Sequence, residues 1–270
     1  MIAMDLIGPG FTERTVTLRV FSPADASTRP DIALDEFRLL QTLVETVLPV
    51  PRALHVDQTC EILPLPAVVL EYVEGETRLH SENAIGLVCT MADMLLFIHS
   101  FDPIILDLKF LPDEKTRNEE RLANPPQSLD ISLQEDSIRN TLADVWPHVS
   151  RNASMLLHGD YWAGNILWSG DQIAAVIDWE NAQRGDPVED FANARLEVLW
   201  AYGYEAMEAF SMTYIGGANL DFGALPAFDL MAALRPCGRL QSWGLEPSKE
   251  LSMRNAHKLF VAEAMKELNG

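Results

Sequence analysis

Cationic side chains are scarce in this chain: 20 Lys and Arg stand against 40 Asp and Glu, a formal net charge of −20. An excess of that size repels phosphate backbones and anionic membrane surfaces, so nucleic acid and membranes are not expected as partners; it either favours a cationic small molecule or is simply a solvated acidic surface. Cysteine is scarce as well. Cys60, Cys89 and Cys237 are odd in number and far apart, offering neither a disulfide framework nor zinc-ligand spacing, and a reducing cytoplasm is the expected setting. The histidines (His55, His80, His99, His148, His158, His257) show no pairing such as i, i+4 on one helix. No N-terminal stretch has the basic start and long apolar run of a secretion signal, and the most apolar segment, Met91 to Ile98, carries Asp93 and ends at His99. Internal repeats and low-complexity tracts are also missing.

What is present is ample apolar material. A chain of 270 residues with 48% hydrophobic content can bury a substantial core in one or two domains. Strands cluster early. Val16, Leu18 and Val20 alternate with Thr15, Thr17 and Arg19, which predicts a strand from Arg14 to Phe21 with Arg19 off the apolar face. A loop from Ser22 to Asp31 leads to a helix with Leu34, Phe37, Leu40, Val44 and Val47 on one stripe, Glu36 beside it, and Pro49 and Pro51 as stops. Gly8-Pro9-Gly10 reads as a hairpin turn, because proline lacks an amide donor. Ala53 to Val56 and Ala67 to Val73 read as further strands, the second running into a strand-to-turn exit at Glu71-Tyr72-Val73-Glu74-Gly75.

Helices follow. Leu87, Met91, Met94, Leu95 and Ile98 signal one from Asn83 to His99, with the methionines as core and His99 as a packed or capping residue. A charged helix is expected from Glu114 to Leu122, and another from about Leu133 to Trp146 beyond Pro125-Pro126. Asp186-Pro187-Val188-Glu189 is a helix start, with Asp186 as N-cap and Glu189 placed for a capping box. Amphipathic helices are then expected over Phe191 to Tyr202, Glu205 to Tyr214, Phe228 to Leu240 and Lys249 to Leu268.

The chemistry concentrates between Leu156 and Trp179. Two apolar strand ends, Met155 to Leu157 and Ile166 to Trp168, hold a polar loop on which Asp160 and Asn165 sit five apart. After the Ser169-Gly170-Asp171 turn, the apolar strand Ile173 to Ile177 pairs back as a hairpin and delivers Asp178. Three oxygen-bearing side chains are thereby expected to converge. The trio suits phosphoryl transfer from Mg-ATP to a hydroxyl: Asp160 as the base, and Asn165 and Asp178 as hard oxygen ligands for magnesium.

His158-Gly159-Asp160, Asn165, Ile177-Asp178-Trp179 and Gly185-Asp186-Pro187-Val188-Glu189-Asp190, in that order and spacing, resemble the signature of aminoglycoside phosphotransferases and their choline-kinase-like relatives. The resemblance covers about Arg19 to Asn193. It implies an α+β, bilobal protein-kinase-like fold, with a small β-rich nucleotide-binding lobe over residues 1–75 and a larger, mainly helical catalytic and substrate-binding lobe over 76–270. By the same resemblance Arg19 holds the nucleotide phosphates and pairs with Glu36, and main-chain groups at Glu71 and Val73 receive the adenine edge. Asp190 is expected to support the metal loop beside it.

Two departures bear on activity. Arginine stands where the family usually has lysine, and with only 18 residues before Arg19 a strand and the glycine-rich phosphate cradle are expected to be missing, either because the gene start was called too late or because the lobe is shortened. The implied function is an ATP- and Mg2+-dependent kinase acting on a hydroxyl of an amino sugar or similar small metabolite. The alternative is a weak or inactive nucleotide-binding pseudoenzyme of the same fold. A metal-dependent hydrolase built on His158, Asp160, Asp178 and Asp190 is the weakest of the three readings.

Overall fold

The computed structural model describes residues 1–6 and 14–269, so the turn expected at Gly8-Pro9-Gly10 lies outside the described residues. In chain order the elements are β1 (Ile2–Leu6), β2 (Arg14–Val20), α1 (Pro23–Thr28), α2 (Ile32–Leu43), β3 (Ala53–Asp57), β4 (Ala67–Glu71), α3 (Ala84–Ile98), α4 (Glu114–Ala123), α5 (Glu135–Val145), β5 (Met155–Leu157), β6 (Ile166–Ser169), β7 (Gln172–Val176), β8 (Gln183–Gly185), α6 (Pro187–Tyr202), α7 (Tyr204–Gly217), α8 (Leu225–Ala233) and α9 (Pro247–Asn269). They form two compact units. The first comprises Met1–Arg78, Ile104–Leu111 and Gly164–Ala182; the second comprises Leu79–Pro103, Pro112–Ala163 and Gln183–Gly270.

The first unit is built on an antiparallel sheet of order β1-β2-β4-β3, with α2 packed on β3 and β4, and it also contains the β6–β7 hairpin as a separate two-stranded sheet. β1 is a strand that the sequence reading missed. It pairs with β2 from Ile2 opposite Leu18 to Leu6 opposite Arg14, leaving Ile2 and Met4 exposed, so no buried alternation advertises it. On β2 the expected faces are reversed at the C-terminal end. Val20 is 41% exposed while Arg19 is only 6% exposed. The sheet face that alternation assigns to water is covered here by Phe21, which is buried, and by the acid that meets Arg19 from α2.

That acid, Glu36, is the second correction. The buried face of α2 is Ile32, Ala33, Glu36, Leu39, Leu40 and Leu43, so Glu36 lies within the apolar stripe and not beside it. Val47, expected on the stripe, is 86% exposed because the helix ends at Leu43.

The second unit is helical. Asn83 caps α3 by accepting the Gly86 amide at 3.1 Å, and Leu87, Val88, Met91, Ala92, Leu95 and Ile98 form the buried face that packs on α7. α6 is buried on nearly every side and contacts α7, α8 and α9, as expected for a helix whose apolar residues do not keep to one stripe. Phe191 on α6 stacks on Tyr214 at 4.2 Å between ring centroids. The helix expected over Phe228 to Leu240 stops at Ala233. Pro236 disfavours a helical conformation at the residue before it, and the chain turns at Arg235.

The start of α6 follows the sequence in part. Asp186 caps it, accepting the Val188 amide at 3.0 Å, and Pro187 occupies the first turn. The capping box does not form, because the Glu189 carboxylate instead accepts from Asn118 Nδ2 at 3.0 Å. Asp186 carries more than a cap: it also accepts the Asn152 backbone amide at 2.8 Å and the Asn152 side-chain amide at 3.1 Å. Losing an N-cap costs typically ~1 kcal/mol, and stranding the half-buried Asn152 amide adds up to about 1–3 kcal/mol. Asp186→Ala is therefore expected to lower unfolding free energy by about 2–4 kcal/mol, checked by urea denaturation. A change below about 0.5 kcal/mol would contradict this account of the helix start.

Candidate active site

In the first unit the site begins where β7 ends. The Ile177 amide donates to the Asn165 carbonyl at 2.9 Å, tying the two arms of the hairpin together beyond the strands. The chain then turns through Asp178, whose backbone is left-handed at φ 70°, ψ 58°. Aspartate tolerates that region better than most residues with a Cβ. Trp179 anchors the turn: it is buried, and its indole Nε1 donates to the Val176 carbonyl at 3.0 Å.

Arg19 meets this turn from β2. Its Nη2 lies 2.6 Å from Asp178 Oδ1 and 2.6 Å from Glu180 Oε2, and its Nε lies 3.1 Å from Glu36 Oε2. Glu36 also accepts the Trp179 amide at 3.2 Å through Oε1. A second arginine, Arg29, donates to the Glu180 carbonyl. One guanidinium thus serves three carboxylates. Burial works against the Arg19 charge, but Glu36, Asp178 and Glu180 outweigh it and raise its pKa. For Glu36 the balance is reversed: burial pushes the carboxyl up to about 7, with Arg19 pulling the other way and Asp178 and Glu180 adding to the rise.

The same unit contains a cavity of about 240 Å3, lined by Ala3, Thr17, Leu70, Tyr72, Leu167 and Ile177 together with Glu71 and Val73. Both strand-exit residues singled out in the sequence therefore lie at one apolar pocket.

In the second unit β5, with Leu156 and Leu157 fully buried, feeds into His158-Gly159-Asp160. Asp190 holds this loop. Its carboxylate accepts the His158 amide at 2.6 Å and the Gly159 amide at 2.8 Å, and His99 Nε2 faces it at 3.4 Å. His99 in turn meets the Tyr214 hydroxyl through Nδ1 at 2.5 Å. Burial disfavours the Asp190 anion, but His99, His158 and the Gly159 amide more than offset it and hold the carboxyl below the ordinary aspartate range. Its place in the first turn of α6 adds the favourable end of the helix dipole. The loop turns at Gly159, where φ is +80°. Tyr161, also buried, donates from its hydroxyl to the Met91 carbonyl at 2.8 Å.

Asp160 emerges from this loop with its side chain 31% exposed, and Arg235 grips it: Nη2 donates to Asp160 Oδ1 at 2.8 Å and Nη1 to the Gly159 carbonyl at 2.9 Å. Glu197 on α6 shares this neighbourhood; burial pushes its carboxyl up to about 7, and the Asp160 charge adds to the rise. Sequence reasoning did not find Glu180, Arg29, Arg235 or Glu197. Glu180 had a weak signal, an acid two residues beyond Asp178 at a strand end. Arg235 had a weaker one, a lone cation between an apolar helix and a proline.

The donors of the first unit fit a magnesium-nucleotide. Asp178, Glu180 and the buried Asn165 offer hard oxygens, and Arg19 Nη1 is buried without a hydrogen-bond partner, as suits a donor to a phosphate oxygen. Among the described residues no group of three or more His, Cys, Asp or Glu is arranged to hold a metal by itself. Magnesium on a nucleotide does not require one, since phosphates and water complete its shell. Asp190, committed to two backbone amides, is poorly placed to act as the ligand that the hydrolase reading needs.

Comparison with known proteins follows the same lines. The family described as "Phosphotransferase enzyme family" (APH) matches residues 10–236. A thermostable mutant of aminoglycoside phosphotransferase APH(4)-Ia, solved in ternary complex with ADP and hygromycin B, superposes with a TM-score of 0.63 at 18% identity, covering 97% of this chain and 93% of that one. Amicoumacin kinase hAmiN, solved with AMP-PNP, Ca2+ and its ligand, gives a TM-score of 0.63 at 13% identity, covering 96% and 84%. These likenesses establish the α+β, protein-kinase-like fold. Among curated proteins the chain is 25% identical over 184 residues to acyl-CoA dehydrogenase family member 11 of Rattus norvegicus, 61% of this chain and 23% of that protein. It is 23% identical over 193 residues to family member 10 of Mus musculus, 65% of this chain and 18% of that protein. The chain thus spans less than a quarter of the length of these relatives.

The raised Glu36 carboxyl makes a stability prediction. Its folded value near 7 lies above its ordinary 4.5, so the folded chain binds this proton more tightly. The resulting stabilisation is full below about 4.5 and is lost as pH rises through about 7. Glu36→Gln should flatten the pH dependence of unfolding free energy over that window by on the order of 1–3 kcal/mol. Parallel denaturation profiles for both proteins between pH 4.5 and 7.5 would refute it.

Proposed function

The chain belongs to the phosphotransferase enzyme family, and from that membership we propose that it transfers the γ-phosphate of magnesium-bound ATP to a hydroxyl of an amino sugar or similar small metabolite. The observation that carries the reading is the His158-Gly159-Asp160 loop. Both of its first two amides are spent on Asp190, which leaves Asp160 held at its backbone with a partly exposed carboxylate.

Bound Mg-ATP supplies the phosphoryl group and neutralises its charge. The residues of the chain then have separable roles. Glu71 and Val73 receive the adenine edge through their main chain, at the apolar cavity they line. Arg19, oriented by Glu36, donates to phosphate oxygens, and Asn165 and Asp178 hold the metal. On the acceptor side Asp160 orients the attacking hydroxyl and takes its proton. Asp190 sets the loop that presents Asp160, and His99 and Tyr214 support Asp190 from α3 and α7. The ligands of the solved relatives, ADP with hygromycin B in one and AMP-PNP with Ca2+ in the other, support a nucleotide donor and a small-molecule acceptor.

A specific observation favours a second reading, a nucleotide binder with weak or no transfer. Arg19 replaces lysine, and its fork already engages Asp178 and Glu180 at 2.6 Å each. A guanidinium held this way is not interchangeable with the compact ammonium of lysine.

One substitution tests the nucleotide site that both readings share, and a second separates them. Asp178→Ala should abolish Mg2+-dependent nucleotide binding, measured by calorimetry. Asp160→Asn preserves shape but cannot accept a proton, so Mg-ATP should still bind while transfer falls by ~10²–10⁴-fold. Transfer that survives Asp160→Asn near the wild-type rate would remove Asp160 as the base. A wild type silent toward a broad panel of alcohols, and unchanged by the substitution, would establish the second reading.

A further inference from the structure

We infer that Arg235 is a positioning residue for the proposed base: its guanidinium fixes the Asp160 carboxylate against the main chain of the loop that carries it. The inference rests on the reading of Asp160 as the base.

The Asp190 contacts fix the entrance of that loop. They hold the His158 and Gly159 amides, and the Asp160 amide donates to His158 Nδ1 at 3.3 Å. These bonds restrain backbone and leave rotation about the Asp160 side chain untouched. Arg235 restrains that rotation. One planar fork reaches the Asp160 carboxylate at 2.8 Å through Nη2 and the preceding Gly159 carbonyl at 2.9 Å through Nη1. Because one rigid group binds both acceptors, the carboxylate is held in register with the peptide that precedes it. Gly159, at φ +80°, then has both its polar groups engaged, the amide by Asp190 and the carbonyl by Arg235.

The arginine stands on a fixed mount. It follows α8, in which every residue from Leu225 to Ala233 is buried, and its own amide donates to the Ala232 carbonyl at 3.0 Å. His257 of α9 donates from Nε2 to the Ala233 carbonyl at 2.9 Å. On the other side Pro236 is buried, and the Gly238 amide donates to Asp130 at 3.0 Å. The chain is thereby pinned before and after Arg235. Its place at the C-terminal end of a helix also favours a cation. A mobile surface lysine would supply the same charge; a guanidinium on this mount, with its side chain 27% exposed, supplies a direction as well.

Direction is what the proposed reaction requires. Phosphoryl transfer passes through a loose transition state in which the protein mainly positions its groups, so a carboxylate shared with a cation can still serve. A displacement of about 1 Å can cost ~10²-fold in rate.

The test begins on the whole chain without ligand. Amide hydrogen exchange is followed by mass spectrometry over residues 158–162, with α6 and α8 as internal references. Arg235→Gln should speed exchange in the loop by ~10-fold or more and leave both helices unchanged, and Arg235→Lys should fall between, since an ammonium cannot bind both acceptors as a planar fork. Transfer from Mg-ATP is then measured to the fastest acceptor in a panel of amino sugars, amino alcohols and hydroxy acids. Arg235→Gln should lower kcat by ~10–100-fold with both KM values within about twofold, and Arg235→Lys should restore part of the loss. In the Asp160→Asn background the same substitution should cost less than about twofold, because Arg235 acts through Asp160. Unchanged loop exchange, a rise in KM with kcat preserved, or losses that multiply in the double variant each overturn the inference. If Arg235→Gln fails to fold, Arg235→Lys carries the same comparisons with smaller expected effects. The kinase reading fails separately: a wild type that transfers to no alcohol rejects that reading, and loop exchange then decides by itself whether Arg235 fixes Asp160.

Discussion

A single buried carboxylate organises the second unit. Asp190 lies in the first turn of α6, at the centre of the helical packing, and its two oxygens are taken by consecutive amides of the His158-Gly159 turn. Taking a carboxylate out of water costs several kcal/mol, so the arrangement persists only because both oxygens are hydrogen-bonded. His99 and Tyr214 complete the chain of contacts, which recruits α3 and α7 to the same point. The position of the loop bearing Asp160 is therefore a consequence of how α6 is buried. A shift of that helix would move two hydrogen bonds at once, and the helix is locked by Phe191, stacked on Tyr214, and by its contacts with α8 and α9.

The first unit solves a related problem with the opposite sign. Arg19 is a buried cation, and three acids from two separate segments share it. Arg19 is the cation that all three acids contact, with Arg29 beside Glu180, and desolvation falls hardest on Glu36, the most buried of the acids. An arrangement with surplus carboxylate and an unpartnered guanidinium nitrogen is suited to receive both a metal ion and a phosphate group. Stability and binding draw here on the same atoms, which makes the knot costly to hold and easy to bias with a ligand.

Charge in this protein has to be read locally. The acidic excess describes its surface, but the cations are placed where they do particular jobs: Arg19 and Arg29 on the Asp178 turn, Arg235 on the Gly159-Asp160 turn, Arg151 on Glu114 at 2.7 Å. None of these arginines could be assigned a partner from composition alone.

By itself the sequence determined the elements and the chemistry-bearing types. Asn83 and Asp186 announced their helix starts, the hairpin carrying Asp178 followed from two apolar runs around a Ser-Gly-Asp turn, and the order of His158-Gly159-Asp160, Asn165 and Asp178 pointed to phosphoryl transfer. These are local properties, set by residues within one or two turns of each other. Only the tertiary structure decided which charges meet. Arg19 and Asp178 are 159 residues apart, and Asp160 and Arg235 are 75 apart. Periodicity placed Arg19 on the solvent side of its strand and Glu36 outside the apolar stripe of its helix, because each pattern counts a charge as exposed. Both are buried because each lies against a charge of the other sign from a distant segment, and that pairing is a property of the folded chain.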